Sequence, residues 1–290
     1  MPVRKAVLPV AGFGTRVLPA TKAVPKELLP VVDRPALQYV VDEAIEAGIE
    51  HIVFVTGRGK SAIEDYFDLA FELETNLRAK SSKANILADV EKTRLPAGGA
   101  SFTRQQEALG LGHAIWCARD IIGREPFAIL LPDVIVKAET SCLSQMATAF
   151  NKVGGNIIAV DPVPEDRVSS YGVIAPKARD GRLIEMSGMV EKPPTDDAPS
   201  NLAITGRYIL QPEIFDLLAD QATGAGGEIQ LTDAMARLME MQSFYAYEFE
   251  GRPYDCGSKL GYFEAVVAHA VDHAEIASGA KDLLKAYASD

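Results

Sequence analysis

The chain has few of the residues that build disulfide frameworks and metal clusters. Its 290 residues include three cysteines (Cys117, Cys142 and Cys256) and four histidines. The cysteines are odd in number and far apart, and neither a C-x-x-C nor an HExxH pattern occurs. This argues against a disulfide scaffold and a structural zinc site, and it is typical of proteins in a reducing compartment. We therefore predict a cytoplasmic protein.

Long apolar runs and an excess of positive charge are also missing. No apolar stretch approaches the length of a membrane span, and the first apolar run is too short and wrongly flanked for a signal peptide. The formal net charge is −11. Nucleic acid requires a broad basic face, and anionic lipid surfaces repel acidic chains. We expect neither partner.

The two common phosphate-binding motifs are absent as well. The strand-like run Ala6 to Val10 leads into a loop with Gly12 and Gly14, but no G-x-x-x-x-G-K-[ST] occurs. A dinucleotide fingerprint needs a small residue where Val17 stands, and Pro19 prevents a helix from starting directly after Gly14. A dinucleotide-dependent oxidoreductase is thereby excluded.

What the chain has instead is a long, ordered loop from Ala11 to about Leu29. Gly12 and Gly14 let backbone N–H groups approach a phosphate closely because no Cβ intervenes. The loop adds the polar and basic side chains Thr15, Arg16, Lys22 and Lys26. Residues 1–35 carry six basic and two acidic side chains, so a small anionic ligand is predicted here. The glycines alone would fit an ordinary turn equally well.

Two aspartates follow predicted strands. Asp133 comes after the apolar run Phe127 to Leu131, and Asp255 precedes the C-terminal helical segment. Carboxylates at such an edge suit Mg²⁺, which usually takes one or two of them together with substrate phosphates. The alternatives are a turn residue for Asp133 and a helix N-cap for Asp255.

Gln105 and Gly110 follow another predicted strand. A side-chain amide offers both a donor and an acceptor, so Gln105 suits the edge of a nucleobase. Gly110, followed by Leu111, Gly112 and His113, allows close approach of the ligand. The alternatives are a solvated glutamine and an ordinary helix entry.

The dipeptide Glu191-Lys192 ends an alternating, antiparallel-type stretch. Glu191 suits sugar hydroxyls and Lys192 suits a sugar phosphate, although an exposed charge pair is the commoner occurrence. Further small or polar approach points are predicted at Tyr171, Gly172, Gly206 and Arg207.

Together these segments resemble the bacterial UTP–glucose-1-phosphate uridylyltransferases over nearly the whole chain. The most specific stretches are Ala11–Arg16, Pro25–Pro30, Arg104-Gln105, Gly110–Ala114, Leu131–Asp133, Val190–Pro193, Gly227–Asp233 and Tyr254–Ser258. Phe13 and Val17 stand where we expect leucine and phenylalanine, and both replacements are apolar.

The resemblance implies a Rossmann-like, three-layer α/β/α fold with a mixed, mostly parallel sheet. It implies a nucleotide-binding lobe (1–160), a smaller sugar-phosphate-binding lobe on the same sheet (161–258), and a C-terminal helical tail (259–290). The tail is the expected contact of a homodimer or homotetramer.

The implied reaction joins UTP and glucose 1-phosphate to give UDP-glucose and pyrophosphate. Ala11, Gly12, Gln105 and Gly110 would hold the uracil, and Asp133 with Asp255 would hold Mg²⁺. Arg16 and Lys26 would bind the triphosphate, Gly172 and Glu191 the glucose, and Lys192 its phosphate. The catalytic groups would be Arg16, Lys26 and Lys192. A different nucleotide or sugar (dTTP, galactose 1-phosphate) and a non-catalytic sensor remain alternatives.

Overall fold

The core of the molecule is a single nine-stranded mixed β-sheet. A computed structural model describes residues 2–220 and 222–288. The strands are β1 (Lys5–Pro9), β2 (Pro30–Val31), β3 (Arg34–Pro35), β4 (His51–Thr56), β5 (Ala100–Arg104), β6 (Phe127–Leu130), β7 (Val134–Lys137), β8 (Asn156–Pro162), β9 (Gly172–Asp180), β10 (Leu183–Glu191), β11 (Leu202–Leu210), β12 (Phe244–Glu248) and β13 (Arg252–Asp255).

The order of strands in the large sheet is β5-β4-β1-β6-β11-β8-β12-β10-β9. Strands β5, β4, β1 and β6 are parallel, whereas β11 pairs antiparallel with both β6 and β8. Strand β12 is parallel to β8, and β10 is antiparallel to β12 and β9. Among the described strands of this sheet, only β10 and β11 therefore run against the others. The predicted mixed, mostly parallel sheet is confirmed.

Helices cover both faces of the sheet. They are α1 (Ala36–Glu46), α2 (Ser61–Phe67), α3 (Phe71–Arg78), α4 (Ala84–Lys92), α5 (Leu111–Trp116), α6 (Arg119–Ile122), α7 (Cys142–Val153), α8 (Ile214–Leu218), α9 (Leu231–Met239), α10 (Lys259–Ala270) and α11 (Ala277–Ala288). Alternate residues of β1 belong to two different hydrophobic clusters: Val7 lies in one with Ile115 of α5, and Leu8 lies in the other with Leu37 of α1. This confirms the three-layer arrangement, because parallel strands buried on both faces need helices on each side.

The helical segments are more divided than the sequence suggests. Residues 61–92 form three helices, and the predicted helical tail is divided into α10 and α11. The tail breaks where His273 pairs with Asp33 at 3.0 Å and Asp272 pairs with Lys137. These partners hold the linking residues against the β2–β3 hairpin and β7. Within the described chain, no helix is both long and apolar enough to cross a membrane.

A buried ion pair joins the central strand of the sheet to three neighbouring segments. Arg207 of β11 contacts Glu43 of α1 through two bonds, Nε to Oε1 at 3.0 Å and Nη2 to Oε2 at 2.9 Å. The guanidinium also donates to the carbonyls of Leu131 and Val134 at 3.1 and 2.6 Å. Glu43 accepts a further bond from the backbone N–H of Leu143 at the start of α7. The side chains are 0% and 6% exposed, so both charges depend on these partners.

We expect the substitution Arg207→Met to lower the free energy of unfolding by about 3–5 kcal/mol, because it leaves Glu43 as an unpaired buried charge. The matched control is Arg4→Met, which breaks the Arg4–Glu50 pair, 57% and 60% exposed, and should cost less than about 1 kcal/mol. Urea unfolding measures both. Equal losses in the two variants would contradict the structural role of the buried pair.

Candidate active site

The candidate site lies where the carboxyl ends of four parallel strands meet. The loops that follow β1, β4, β5 and β6 start at this edge because parallel strands end on the same side. They are joined at their roots: the N–H of Val10 donates to Val55 O at 2.9 Å, and the N–H of Gln105 donates to Thr56 O at 2.8 Å. A Cβ on Gly57 would approach Ala11 O to 3.1 Å, so the loops pack closely.

The long loop after β1 is ordered, as predicted. It contains three short 3₁₀ turns, Thr15–Val17, Ala20–Lys22 and Lys26–Leu28. Gly14 has φ +66°, and its carbonyl accepts a bond from the Thr21 hydroxyl at 2.8 Å. A Cβ on Gly14 would lie 3.1 Å from Lys26 Cβ, so glycine is needed where the loop folds back. Gly12, Thr15 and Arg16 are exposed along the same loop.

A second buried ion pair anchors the far end of this loop. Lys60 Nζ, from the loop after β4, lies 2.7 Å from Glu27 Oε2, and both residues are buried. Burial raises the pKa of the Glu27 carboxyl, and the Lys60 ammonium opposes only part of that rise. With Glu27 held inward, the neighbouring Lys26 side chain turns toward the site.

The cations of the loop meet two carboxylates. Lys26 Nζ lies 2.6 Å from Asp133 Oδ2, and Arg16 spans Asp133 at 3.5 Å and Asp255 at 3.6 Å. Burial by itself would raise the pKa of the Asp133 carboxyl. Lys26 and Arg16 outweigh burial and lower that pKa below its usual range, so Asp133 stays ionised at neutral pH.

Asp255 reaches Asp133 through a two-stranded ribbon. Strands β7 and β13 pair antiparallel with Asp255 opposite Val134, and the N–H of Cys256 donates to Asp133 O at 2.7 Å. Asp255 does not cap the following helix, because the Ser258 hydroxyl accepts the capping bond from Gly261 N. The N-cap alternative for Asp255 is therefore wrong.

The two aspartates lie on either side of Gly257. A Cβ on Gly257 would lie 2.8 Å from Asp133 Oδ2, 2.9 Å from Asp255 Oδ1 and 2.5 Å from Arg16 Nη2. Only glycine fits beside these three side chains. No cluster of three or more His, Cys, Asp or Glu side chains able to hold a metal occurs within residues 2–220 and 222–288. Two hard oxygen donors are what Mg²⁺ requires when substrate phosphates complete its shell.

The loop after β5 is clamped by the segment before α9. The N–H of Gly112 donates to Ile229 O, and the N–H of Ile229 donates to Leu109 O, both at 2.8 Å. A Cβ on Gly110, which has φ +103°, would lie 2.9 Å from the Ile229 backbone, and one on Gly112 would lie 2.8 Å from Ile229 O. Close packing against Ile229 therefore requires glycine at both positions. The predicted approach of a ligand is a separate reason for glycine there. The buried Gln105 side chain bonds Gly110 O at 3.0 Å.

Glu191 and Lys192 form a polar turn at the end of β10. Glu191 Oε2 accepts a bond from the Thr232 hydroxyl of α9 at 2.8 Å, and Glu191 Oε1 lies 3.4 Å from Lys192 Nζ. Lys192 has φ +47° and donates its N–H to Tyr171 O at 3.0 Å. Such left-handed backbone in a non-glycine residue costs about 1–3 kcal/mol and is concentrated at functional sites. A Cβ on Gly172 would lie 3.0 Å from Glu191 Oε2.

Two predicted sugar-phosphate contacts are corrected by the structure. Arg207 is fully buried on Glu43 and the backbone, so its guanidinium has no surface to offer a sugar phosphate. Gly206 is also buried, and a Cβ there would lie 2.8 Å from the Leu131 side chain. Both residues support the Leu131–Val134 segment from beneath. Tyr171, by contrast, is half-buried and receives the Lys192 N–H as described.

Two residues of the site lie in stretches that the sequence analysis singled out, but their individual partners come from the structure. Thr232 orients Glu191, and His113 lies 3.1 Å from the Gln105 amide through Nδ1. Both stand inside stretches that carry the family resemblance, and that was the one signal available for them. Their partners lie 41 and 8 positions away in the chain.

Comparison with known proteins agrees with this geometry. The model of the nucleotidyl transferase family matches residues 5–270. The UTP–glucose-1-phosphate uridylyltransferase of Bacillus subtilis (strain 168) is 53% identical over 274 residues, which cover 94% of this chain and 93% of the relative. The chain belongs to the UTP–glucose-1-phosphate uridylyltransferase family. It is therefore a nucleotidyltransferase, and the alternative of a non-catalytic sensor is not supported.

Solved structures of this uridylyltransferase family share the fold. A UTP-bound UGPase from Acinetobacter baumannii is 45% identical, with a TM-score of 0.89 over 97% of this chain and 98% of that one. A UDP-glucose pyrophosphorylase complexed with UDP-glucose is 43% identical, with a TM-score of 0.85 over 92% of this chain and 98% of that one. The predicted nucleotidyltransferase fold is confirmed.

Proposed function

We propose that this chain transfers the uridylyl group of UTP to α-D-glucose 1-phosphate, giving UDP-glucose and pyrophosphate with the assistance of Mg²⁺. The observation that carries the proposal is the meeting of Arg16 and Lys26 with Asp133 and Asp255 at one sheet edge. Support comes from relatives that carry this name and from similar structures described as bound to UTP or UDP-glucose.

The nucleotide occupies the lobe of residues 1–160 in this proposal. Ala11, Gly12, Gln105 and Gly110 hold the uracil, and the backbone of Gly14 and Thr15 lies along the phosphates. Arg16 and Lys26 neutralise the triphosphate, and Asp133 with Asp255 holds Mg²⁺. When bound, the ion supplies positive charge to the phosphate oxygens beyond what the side chains provide.

The sugar phosphate occupies the lobe of residues 161–258. Glu191, held by Thr232, accepts bonds from sugar hydroxyls beside Gly172 and Tyr171, and Lys192 pairs with the phosphate. The attacking oxygen is already ionised at neutral pH, so no general base is required. Catalysis consists of aligning two polyanions at the α-phosphorus and neutralising their charge, which is the task of Arg16, Lys26 and Lys192.

The oligomeric state and the cellular location of the enzyme are also proposals. The tail of residues 259–290 carries exposed apolar side chains, including Leu260, Phe263 and Leu283, which favour a homodimer or homotetramer contact there. The three cysteines are free, and Cys142 and Cys256 are buried, which fits a cytoplasmic location.

The proposed reaction is tested by measuring pyrophosphate release. Each of UTP, dTTP, CTP, ATP and GTP is supplied with glucose 1-phosphate, and UTP is also supplied with galactose 1-phosphate. We expect the highest kcat/KM with UTP and glucose 1-phosphate. A higher value with dTTP or galactose 1-phosphate would transfer the assignment to that substrate.

We expect Lys192→Ala to weaken the binding of glucose 1-phosphate by about tenfold or more, the equivalent of a charge-assisted bond of ~1.5–3 kcal/mol. Alanine keeps the Cβ, so the left-handed backbone strain at this position is unchanged. Lys177→Ala is the matched control, since Lys177 is 60% exposed, Lys192 is 55% exposed, and both pair with a glutamate. Calorimetry with glucose 1-phosphate measures both variants. Equal affinity in Lys192→Ala and wild type would refute the phosphate contact.

We expect Asp133→Asn to abolish Mg²⁺-dependent turnover while the chain remains folded. The amide keeps the shape of the side chain but loses the charge that binds the ion and pairs with Lys26. Chelation should stop the wild-type enzyme and added Mg²⁺ should restore it, whereas saturating Mg²⁺ should not restore the variant. Asp216→Asn, which breaks the exposed pair with Arg124, is the control for loss of one charge. Near-normal turnover in Asp133→Asn would place the ion elsewhere.

A further inference from the structure

The side-chain amide of Gln105 is held in one orientation by two acceptors. Its Nε2 lies 3.0 Å from Gly110 O and 3.1 Å from His113 Nδ1. A backbone carbonyl can only accept, which identifies the atom facing Gly110 as the amide nitrogen. The amide has two hydrogens, so the second is available to His113.

His113 must accept this second hydrogen at Nδ1. An imidazole nitrogen accepts only when it carries no proton, so the ring is the neutral tautomer protonated at Nε2. Burial lowers the pKa of His113, which favours the neutral ring at neutral pH, and the charge of Glu107 opposes this only in part. The ring stacks on Trp116 with the ring centroids 6.0 Å apart, and the Arg119 guanidinium lies over the same indole at 3.7 Å.

The consequence is that Gln105 presents only its carbonyl oxygen to a ligand. Both amide hydrogens are used inside the protein, and none of the described residues donates to Oε1. An oxygen that can only accept selects a base edge that donates. Uracil and thymine carry N3–H, whereas N3 of cytosine has a lone pair that would face the Gln105 oxygen. A site built to bond an N–H group rejects the analogue that lacks it.

We infer that His113 is a specificity-determining positioning residue: its Nδ1 fixes the Gln105 amide so that Oε1 selects a base with an N3–H group over cytosine. This inference rests on the proposed function only in placing the base at Gln105. His113 itself touches no substrate in this arrangement. Without it, Gly110 O alone holds the amide, so a rotation by 180° that offers the amide nitrogen to N3 of cytosine becomes less costly.

The test compares three nucleotides in one variant. Calorimetry gives the Kd values of UTP, CTP and dTTP without sugar phosphate, so binding is separated from turnover. In His113→Leu we expect the preference for UTP over CTP to fall on the order of tenfold, the effect of one neutral hydrogen bond. The ratio of UTP to dTTP should stay unchanged, because both bases carry N3–H. A general loss of structure would weaken all three alike and would contradict the inference.

Two further variants separate orientation from packing. His113→Asn restores an acceptor oxygen close to the position of Nδ1 and should retain the wild-type preference for UTP over CTP. Cys117→Ala alters another neighbour of the same nitrogen, at 4.0 Å, and should also retain it. An unchanged preference in His113→Leu, or an equal loss in His113→Asn, would overturn the inference. Absence of pyrophosphate release from wild type with UTP would overturn the proposed function instead, and the binding ratios would still judge His113.

Discussion

The buried pair of Arg207 and Glu43 is the interaction on which the site geometry depends. Two charges removed from water are costly, and they are tolerated here because each has further hydrogen-bond partners. Arg207 also donates hydrogen bonds to the Leu131 and Val134 carbonyls, so it fixes the backbone on both sides of Asp133. The same guanidinium ties this segment to α1 and β11. The position of the aspartate is thus set by a fully buried residue.

The charges above this support are arranged as alternating signs. Arg16 lies between Asp133 and Asp255, Lys26 lies on Asp133, and the neighbouring Glu27 is turned inward onto Lys60. Each cation is therefore held in place before any phosphate arrives. Groups positioned in advance need not reorganise when charge develops, which is where electrostatic catalysis gains most.

The sequence predicted those parts of the site that depend on residues close together in the chain. Glycines, a proline and basic residues after an apolar run identified the loop after β1, and strand ends identified Asp133 and Asp255. The prediction that Arg207 contacts the sugar phosphate was wrong. An arginine beside glycine and tyrosine suggests an exposed side chain, and its buried partner Glu43 lies 164 residues away in the chain. The sequence suggested ligand approach at Gly110 and Gly112. It could not show that a Cβ at either position would clash with Ile229, because that contact forms only in the folded chain. Thr232 and His113 act only through residues that the fold brings beside them.

The loop that carries Gln105 and the start of α9, which belong to the two halves of the site, are linked directly by backbone hydrogen bonds. Leu109 and Gly112 exchange backbone hydrogen bonds with Ile229, and three residues later Thr232 bonds Glu191. A shift of the loop that carries Gln105 must therefore move the start of α9 and, through it, the carboxylate proposed for the sugar. For a reaction between two polyanions this coupling matters, because misplacing either partner by about 1 Å can cost on the order of a hundredfold in rate. Tying both elements to one backbone link limits that error in the proposed reaction, and the link depends on the glycines at 110 and 112 because both pack against Ile229.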